Sequence, residues 1–358
     1  MNRAWIERKE VSLKAATTEA ARLLAASRFP LIAGLGTDIA GARAAIALAT
    51  RIGAVIDHMH AGALLRSLDV MRSAYLMTTT LAEARLQADC LLLAGSGIDQ
   101  FDGLRALLGA DTGKRNVIWL CPDRDTREIA KGMPINILGR NQAELPIALA
   151  MLRARIAGRG IGKGPITAKA IDGTVAQLKA ARFGVAIWSV EQLDALATEM
   201  LQGIVVDLNA TTRFTSLPIE PPDNAAGVLQ ACGWMTGYPM RTRFSRSGPQ
   251  HDPWMFDTAR LVQSGEVDCA LWISSYGSAV PEWTSAVPTI ALISAQAQPP
   301  SPVRVAIEVG RPGVDHEAVE FVAALGALAP VAGSKPTDMI SVARVVEDIA
   351  KLLPNPGA

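Results

Sequence analysis

Short apolar runs bounded by turn residues recur along the chain and alternate with stretches whose apolar positions return every three or four residues. The runs predict strands over 30–33, 54–57, 90–94, 117–121, 135–138, 185–188, 204–208, 269–273, 289–293 and 304–308. Between them, Ile39, Ala42, Ile46 and Ala49 share one helical face, and 147–157 is a run of strong helix formers with Pro146 suited to its first turn. Strands that are apolar throughout, rather than alternating, belong to parallel sheets covered on both faces. The fold class is therefore α/β.

One stretch breaks the pattern. Residues 212–254 are too rich in Pro at the start for a helix interior and too rich in Gly in the middle for a strand. They predict a long irregular segment, and compact domains carry such segments chiefly as functional loops or interaction surfaces. It gathers Arg213, Arg241, Arg243 and Arg246 with Trp234, Tyr238, His251 and Trp254. A Gly-rich stretch at 158–165 reads as a linker, with a hinge between lobes near it.

With 358 residues, two lobes are expected, and 49% apolar residues supply ample core. Lysine and arginine total 35 against 34 acids. No global field recruits nucleic acid or an anionic membrane, so any basic site is local. The charged opening (Arg3, Glu7, Arg8, Lys9, Glu10) does not resemble a secretory signal, and no apolar stretch reaches the roughly 18 residues that span a bilayer. Cys90, Cys121, Cys232 and Cys269 stand far apart without a CxxC pair and read as core thiols in a reducing, cytoplasmic setting.

Candidate chemistry sits at strand ends. Gly34-Leu35-Gly36-Thr37-Asp38 follows a strand and opens a helix, but its spacing misses the dinucleotide fingerprint and Asp38 stands where a phosphate would sit, so a capped tight turn is the reading. Gly95, Ser96 and Gly97 follow the strand over 90–94, and Pro122, Asp123, Arg124 and Thr126 follow the one over 117–121; both loops admit a nucleotide pocket or plain turns. Asp57, His58 and His60 emerge at a strand's carboxyl edge, where open α/β sheets place ligands. Two histidines at i and i+2 can converge on a metal, yet His251 and His316 stand alone elsewhere and no second cluster completes a site, so no metal is expected. Gly95-Ser96-Gly97 is not a nucleophile elbow, and no catalytic residue stands out.

The runs AGLGTDIAGARAAIALATRIGAVIDH, ADCLLLAGSGIDQF and WMTGYPMRTRFSRSGPQHDPW, the last followed by LVQSGEVDCALWISS, resemble the B subunit of formylmethanofuran dehydrogenase, within the molybdopterin oxidoreductase superfamily. The likeness covers most of the chain. It is nearest to the family's shortened form, which serves formyltransferase/hydrolase complexes of methylotrophic bacteria. The resemblance implies one α/β lobe inserted into another, with 1–86 plus 166–358 as the outer lobe and 87–165 as the inserted one.

It also implies what is missing. Redox members open with a Cys-rich segment for an iron–sulfur cluster, whereas the first cysteine here is Cys90. They bind tungsten or molybdenum through a Cys or selenocysteine after the Ile-Asp pair; here Ile56-Asp57 is followed by His58-Met59-His60-Ala61-Gly62, without a thiol. The expected function is a non-redox scaffold subunit in one-carbon metabolism, between formaldehyde and formate. No cofactor is expected in this chain. The partners implied are sister subunits and a methanofuran-type coenzyme on the complex, with no nucleic acid and no membrane. Two alternatives stay open: a pterin- or nucleotide-binding module using the Gly95 and Pro122 loops, and a dehydrogenase-type oxidoreductase subunit. Trp234 and Tyr238 are expected as interface anchors or core residues, and Arg213, Arg241, Arg243 and Arg246 as a grip for an anionic tail or as solvated loop residues.

Overall fold

The computed structural model describes residues 3–74, 76–99, 101, 103–108, 115–123, 135–295 and 302–354. The chain divides into two compact units: Met1–Gly62, Pro222–Phe321 and Leu328–Ala358 form one, and Ala63–Pro221 with Val322–Ala327 forms the other.

The first unit begins with β1 (Ala4–Ile6), β2 (Lys9–Val11), α1 (Leu13–Ala26), β3 (Pro30–Gly36), α2 (Ile39–Ile52) and β4 (Val55–Ile56). The chain then passes through α3 (Ala61–Ser73), α4 (Leu81–Gln87), β5 (Cys90–Ala94), α5 (Gly103–Leu108), β6 (Asn116–Leu120), β7 (Ile135–Leu138), α6 (Leu145–Ile156), α7 (Ala168–Ala180), β8 (Phe183–Ser189), α8 (Ala195–Leu208) and β9 (Arg213–Ile219). It returns as α9 (Ala225–Thr236), β10 (Thr242–Ser245), β11 (Gly248–His251), α10 (Thr258–Gln263), β12 (Cys269–Ser274), β13 (Thr289–Ser294), β14 (Val305–Val309), β15 (Ala318–Val322), β16 (Ala327–Val331) and α11 (Val342–Leu352).

Among the described residues the first unit holds a nine-stranded sheet in the order β11-β10-β4-β3-β12-β13-β14-β1-β2. Its middle, from β4 to β14, is parallel, and both flanks are antiparallel. Alternate residues of adjacent strands, such as Leu31, Ala33, Ala270, Trp272, Ala291 and Ile293, meet in one core, the period-two signature of a sheet face. The second unit is a five-stranded parallel sheet in the order β7-β6-β5-β8-β9. There Leu91, Leu93, Val117, Trp119, Val185 and Ile187 form one face of the core. Every residue of β5 and β8 is buried, as doubly covered strands require.

Several sequence expectations change. The run at 204–208 is the end of α8 rather than a strand: Ala197, Leu201, Ile204, Val205 and Leu208 are buried at helical spacing behind an Asp194 cap, and that period overrides the β-branched residues. The stretch at 212–254 is not irregular. It folds into β9, α9, β10 and β11. Pro218 is tolerated because β9 is an edge strand, and Gly227 is needed in α9 because a Cβ there would collide with the Asn224 side chain. The Gly-rich stretch at 158–165 joins α6 to α7 inside the second unit and is no hinge between units. The boundaries expected at 86/87 and 165/166 lie instead at Gly62/Ala63 and Pro221/Pro222. The reason is in the pairing: β8 bonds every residue of β5 and β9 bonds β8, so these two strands after 165 belong to β5's sheet. Among the described residues, no helix is long and apolar enough to cross a membrane.

Candidate functional site

At the carboxyl edge of the first unit's sheet, the chain leaving β4 brings Asp57, His58 and His60 together as expected. What surrounds them comes from far along the sequence. Asp57, 3% exposed, accepts hydrogen bonds at Oδ2 from the Thr258 backbone N–H at 3.0 Å and hydroxyl at 2.8 Å. Its Oδ1 faces Arg241 Nε at 3.4 Å. Burial pushes the Asp57 carboxyl up to about 6, against the pull of Arg241 and Thr258. Arg241 also pairs with Asp257 at 2.5 Å and donates to the Pro253 carbonyl at 2.6 Å.

His58 is buried, and both ring nitrogens are engaged. Nδ1 accepts the His60 N–H at 3.0 Å, so Nε2 carries the proton toward the Asp223 carbonyl at 3.3 Å. Burial, helped by neighbouring His60, holds His58 down at about 4, neutral across the physiological range. His60 Nε2 lies 3.3 Å from Asp223 Oδ2. Asp223 and Asn224 are both left-handed, at φ 58° and 56°, a conformation that Asp and Asn tolerate better than most residues. The turn lets Asn224 bridge the unit, donating to the Thr37 carbonyl at 2.8 Å and accepting the Phe321 N–H at 2.9 Å.

The family's metal finds no fit at this edge. A tungsten or molybdenum centre of the redox members needs a thiolate, and the position after Ile56-Asp57 offers two histidines whose best donor, His58, already spends both nitrogens on backbone groups. Among the described residues, no group of three or more His, Cys, Asp or Glu side chains is arranged to hold a metal ion. The turn at Gly34-Leu35-Gly36 is a capped turn, with Asp38 accepting the Gly41 N–H at 2.9 Å and so taking the place of an anion at the α2 N-terminus.

The second unit carries the Gly95–Gly97 loop at the ends of β5, beside β8. Chain order reverses between these strands, which makes their carboxyl ends the crevice where such sheets bind ligands. A side chain of this protein spans it. Gln142 accepts the Ser96 N–H at 2.9 Å and donates to the Gln192 carbonyl at 3.1 Å. Gly95 and Gly97 are left-handed at φ 81° and 78°, and a Cβ on either would collide with Gln142 or Gln192 respectively. The glycines thus make room for the Gln142 and Gln192 side chains. Ser96 Oγ is buried without a partner, but so are Thr174, Thr215 and Ser216 hydroxyls in the same unit, so it does not single out a ligand. Pro122 and Asp123 follow β6 as expected, while Arg124 and Thr126 lie outside the described residues.

The expected arginine grip does not assemble. Arg241 is left-handed at φ 58° and locked in its two ion pairs, so it does not share an extended face with Arg243. Arg243 stacks over Phe29, with Cζ 4.2 Å from the ring centre. Arg213 belongs to the second unit, where it faces Glu83 at 3.4 Å and the Phe183 ring. Arg246 stands in the turn between β10 and β11. Trp234 is 68% exposed and Tyr238 38%, so neither is a core residue. Trp254, 71% exposed, lies under Arg260 in the same unit. Asp223, Asn224, Thr258 and Gln142 were missed. Only the Pro-Pro-Asp-Asn turn carried a sequence signal, since Asp and Asn after Pro mark a turn that admits left-handed residues.

The chain is 34% identical over 320 residues to the Fhc B subunit of the formyltransferase/hydrolase complex of Methylorubrum extorquens, covering 87% of this chain and 85% of that protein. It is 28% identical over 293 residues to the B subunit of tungsten-containing formylmethanofuran dehydrogenase 2 of Methanocaldococcus jannaschii, covering 75% of this chain and 65% of that one. It superposes on a chain of the X-ray crystal structure of the formyltransferase/hydrolase complex FhcABCD from Methylorubrum extorquens in complex with methylofuran, with a TM-score of 0.87, 30% identity and 98% of each chain covered. No family model matches the chain.

Proposed function

Because this chain belongs to the B-subunit family of formyltransferase/hydrolase complexes, we propose that it is a non-redox structural subunit of such a complex, in which sister subunits handle formyl groups on a methanofuran-type coenzyme. The observation that carries the reading is the likeness to a chain of FhcABCD over 98% of both chains, which leaves almost no part of either without a counterpart. The two places where an oxidoreductase of this fold would hold its cofactors support it. At one, the position after Ile56-Asp57 carries no thiol and Asp57, His58, Asp223 and Arg241 engage one another; at the other, Gln142 bridges the Ser96 N–H and the Gln192 carbonyl.

On this reading the chain contributes rigid surfaces. Trp234, Met235, Tyr238, Trp254 and Met255 are all exposed within one short stretch of the first unit, and exposed Trp, Tyr and Met beside Arg is the composition of an interface. The coenzyme belongs to the complex rather than to a pocket of this chain. The place of action is the cytoplasm, where the four buried cysteines persist as thiols. The pathway is one-carbon oxidation from formaldehyde toward formate.

The test is purification of the native assembly through a tag on this chain, followed by identification of the proteins and of any furan coenzyme that accompany it. Sister subunits of a formyltransferase/hydrolase in fixed ratio, with the coenzyme, are expected. Recovery of the chain alone from cells actively oxidising one-carbon substrates overturns the reading.

A further inference from the structure

The second unit concentrates positive charge that its own acids do not neutralise. From Leu145 to Ile171 no acid occurs and five cations do, Arg153, Arg155, Arg159, Lys163 and Lys169, whereas no other acid-free stretch of the chain holds more than three. Arg153 pairs with Asp207 at 3.5 Å and Arg155 with Asp172 at 2.5 Å. Arg159, Lys163 and Lys169 are exposed and pair with no acid among the described residues.

This charge surrounds a groove. α6 and α8 both follow strands of the parallel sheet and run side by side, held where Arg153 lies against Gly203 and pairs with Asp207. Ala150 and Ala154 of α6, Ala157 just past it and Met200 of α8 line a groove of about 490 Å³, with Arg159 at its rim. One end is apolar: Ile147 and Leu196, in the first turns of the two helices, are 53% and 54% exposed. The loop 158–165 turns back along α6, since Gly164 lies against Met151 and Ile147, and so keeps Lys163 beside the same helix. Gly160 and Gly162 in that loop are not required by anything inside the chain: neither is left-handed, and a Cβ on either would meet no atom within 4 Å. The N–H groups from Gly160 to Gly164 find no acceptor among the described residues. Bare backbone flanked by cations is a surface that an anionic chain can approach closely.

We infer that this groove takes a short, extended acidic segment of a sister subunit, with an apolar side chain over Ile147 and Leu196 and carboxylates against Arg159, Lys163 and the open N–H groups. The inference rests on the proposed place of the chain in a formyltransferase/hydrolase complex and names a contact within it. From Ile147 to Ala157 the helix rises about 15 Å, which an extended chain covers in about four or five residues. Charge selects the occupant: carboxylates are the anions a protein segment supplies, and guanidinium and ammonium donors hold them by charge-assisted hydrogen bonds. A two-fold pairing of two copies would set the cationic patch against itself. Nucleic acid would find no ring to stack on, because among the described residues the exposed Trp and Tyr side chains belong to the first unit.

The experiment compares assemblies purified through a tag on this chain at low and at high salt, from the wild type and from three variants: Arg159→Glu with Lys163→Glu, Arg159→Lys with Lys163→Arg, and Ala157→Trp. Each isolated chain is also melted, and because all three positions are exposed its melting is expected to match wild type. At low salt the charge reversal should lower one sister subunit roughly tenfold or more relative to the tagged chain, while the charge-keeping pair retains it. Ala157→Trp, which obstructs the groove without altering charge, should lower the same subunit, and high salt should release it from the wild type. Wild-type subunit ratios in the charge-reversed assembly overturn the inference while leaving the proposed function standing. Loss of the coenzyme alone, of bound nucleic acid or of a dimer of this chain, with every sister subunit retained, overturns it in favour of that occupant. A wild-type chain that brings down no sister subunit overturns both.

Discussion

Arg241 and Asp57 form the innermost ion pair at the first unit's carboxyl edge: the guanidinium Nε lies 3.4 Å from a carboxylate whose side chain is 4% exposed. The pair joins the turn before β10 to the end of β4. Removing the arginine strands the carboxylate, whereas replacing the acid leaves Arg241 its Asp257 partner. Arg241→Ala should therefore destabilise the protein by about 3 kcal/mol and Asp57→Asn by less. Denaturant unfolding of both variants checks the order; equal losses contradict it.

The same pair gives a pH dependence. The Asp57 carboxyl is raised in the folded protein to about 6, so its contribution to stability is fully present below its unfolded value near 3.8 and is lost as pH rises through about 6. Without Arg241 to favour the ionised form, that loss deepens. The Arg241→Ala penalty should thus be smaller at pH 5 than at pH 8, read from paired unfolding curves.

His58 has the opposite sign. Held down at about 4, it contributes stability above its unfolded value of 6.5 that disappears as pH falls through about 4. His58→Asn keeps an acceptor for the His60 N–H and cannot be protonated. Between pH 6.5 and 4 it should lose less stability than wild type, and parallel curves over that range would show that the imidazole is not held neutral.

Gln142 should be worth more than its part-exposed position suggests, since it satisfies one donor and one acceptor in two different loops. Gln142→Leu is expected to cost about 1–3 kcal/mol through the Ser96 N–H and Gln192 carbonyl it abandons. An unchanged unfolding midpoint would mean that water replaces it freely.

Trp234→Ala should leave the isolated chain within about 0.5 kcal/mol of wild type, because a 68% exposed side chain has little packing to lose. In the assembly it should weaken subunit retention. A large fall in the melting temperature of the isolated chain contradicts this.

How much of this could be read in advance follows from where the information resides. β3, β5, β12 and β13 announce themselves because they are buried on both faces, and α2 because its apolar face and Asp38 cap are local. α8 misleads because Ile204, Val205 and Val206 look like a strand until the positions one and two turns earlier are counted. The Arg241 environment was out of reach: extended spacing put Arg241 beside Arg243, but a left-handed residue turned it inward onto acids 184 and 16 positions away. Asp57, His58 and His60 were correctly placed at a strand end, while Asp223, which engages both histidines, came from 163 residues further on. Long-range hydrogen bonds leave no period in a sequence.

Metal analysis of the purified assembly, combined with a formyl-oxidation assay, decides whether this subunit holds a complex together without redox chemistry of its own. Formyl transfer and hydrolysis by the assembly are expected, with loss of both when this chain is removed because the remaining subunits separate, and with neither tungsten nor molybdenum in stoichiometric amount on the isolated chain. Stoichiometric tungsten or molybdenum on the isolated chain, together with electron transfer from formyl groups to an acceptor dye, would contradict a purely structural role.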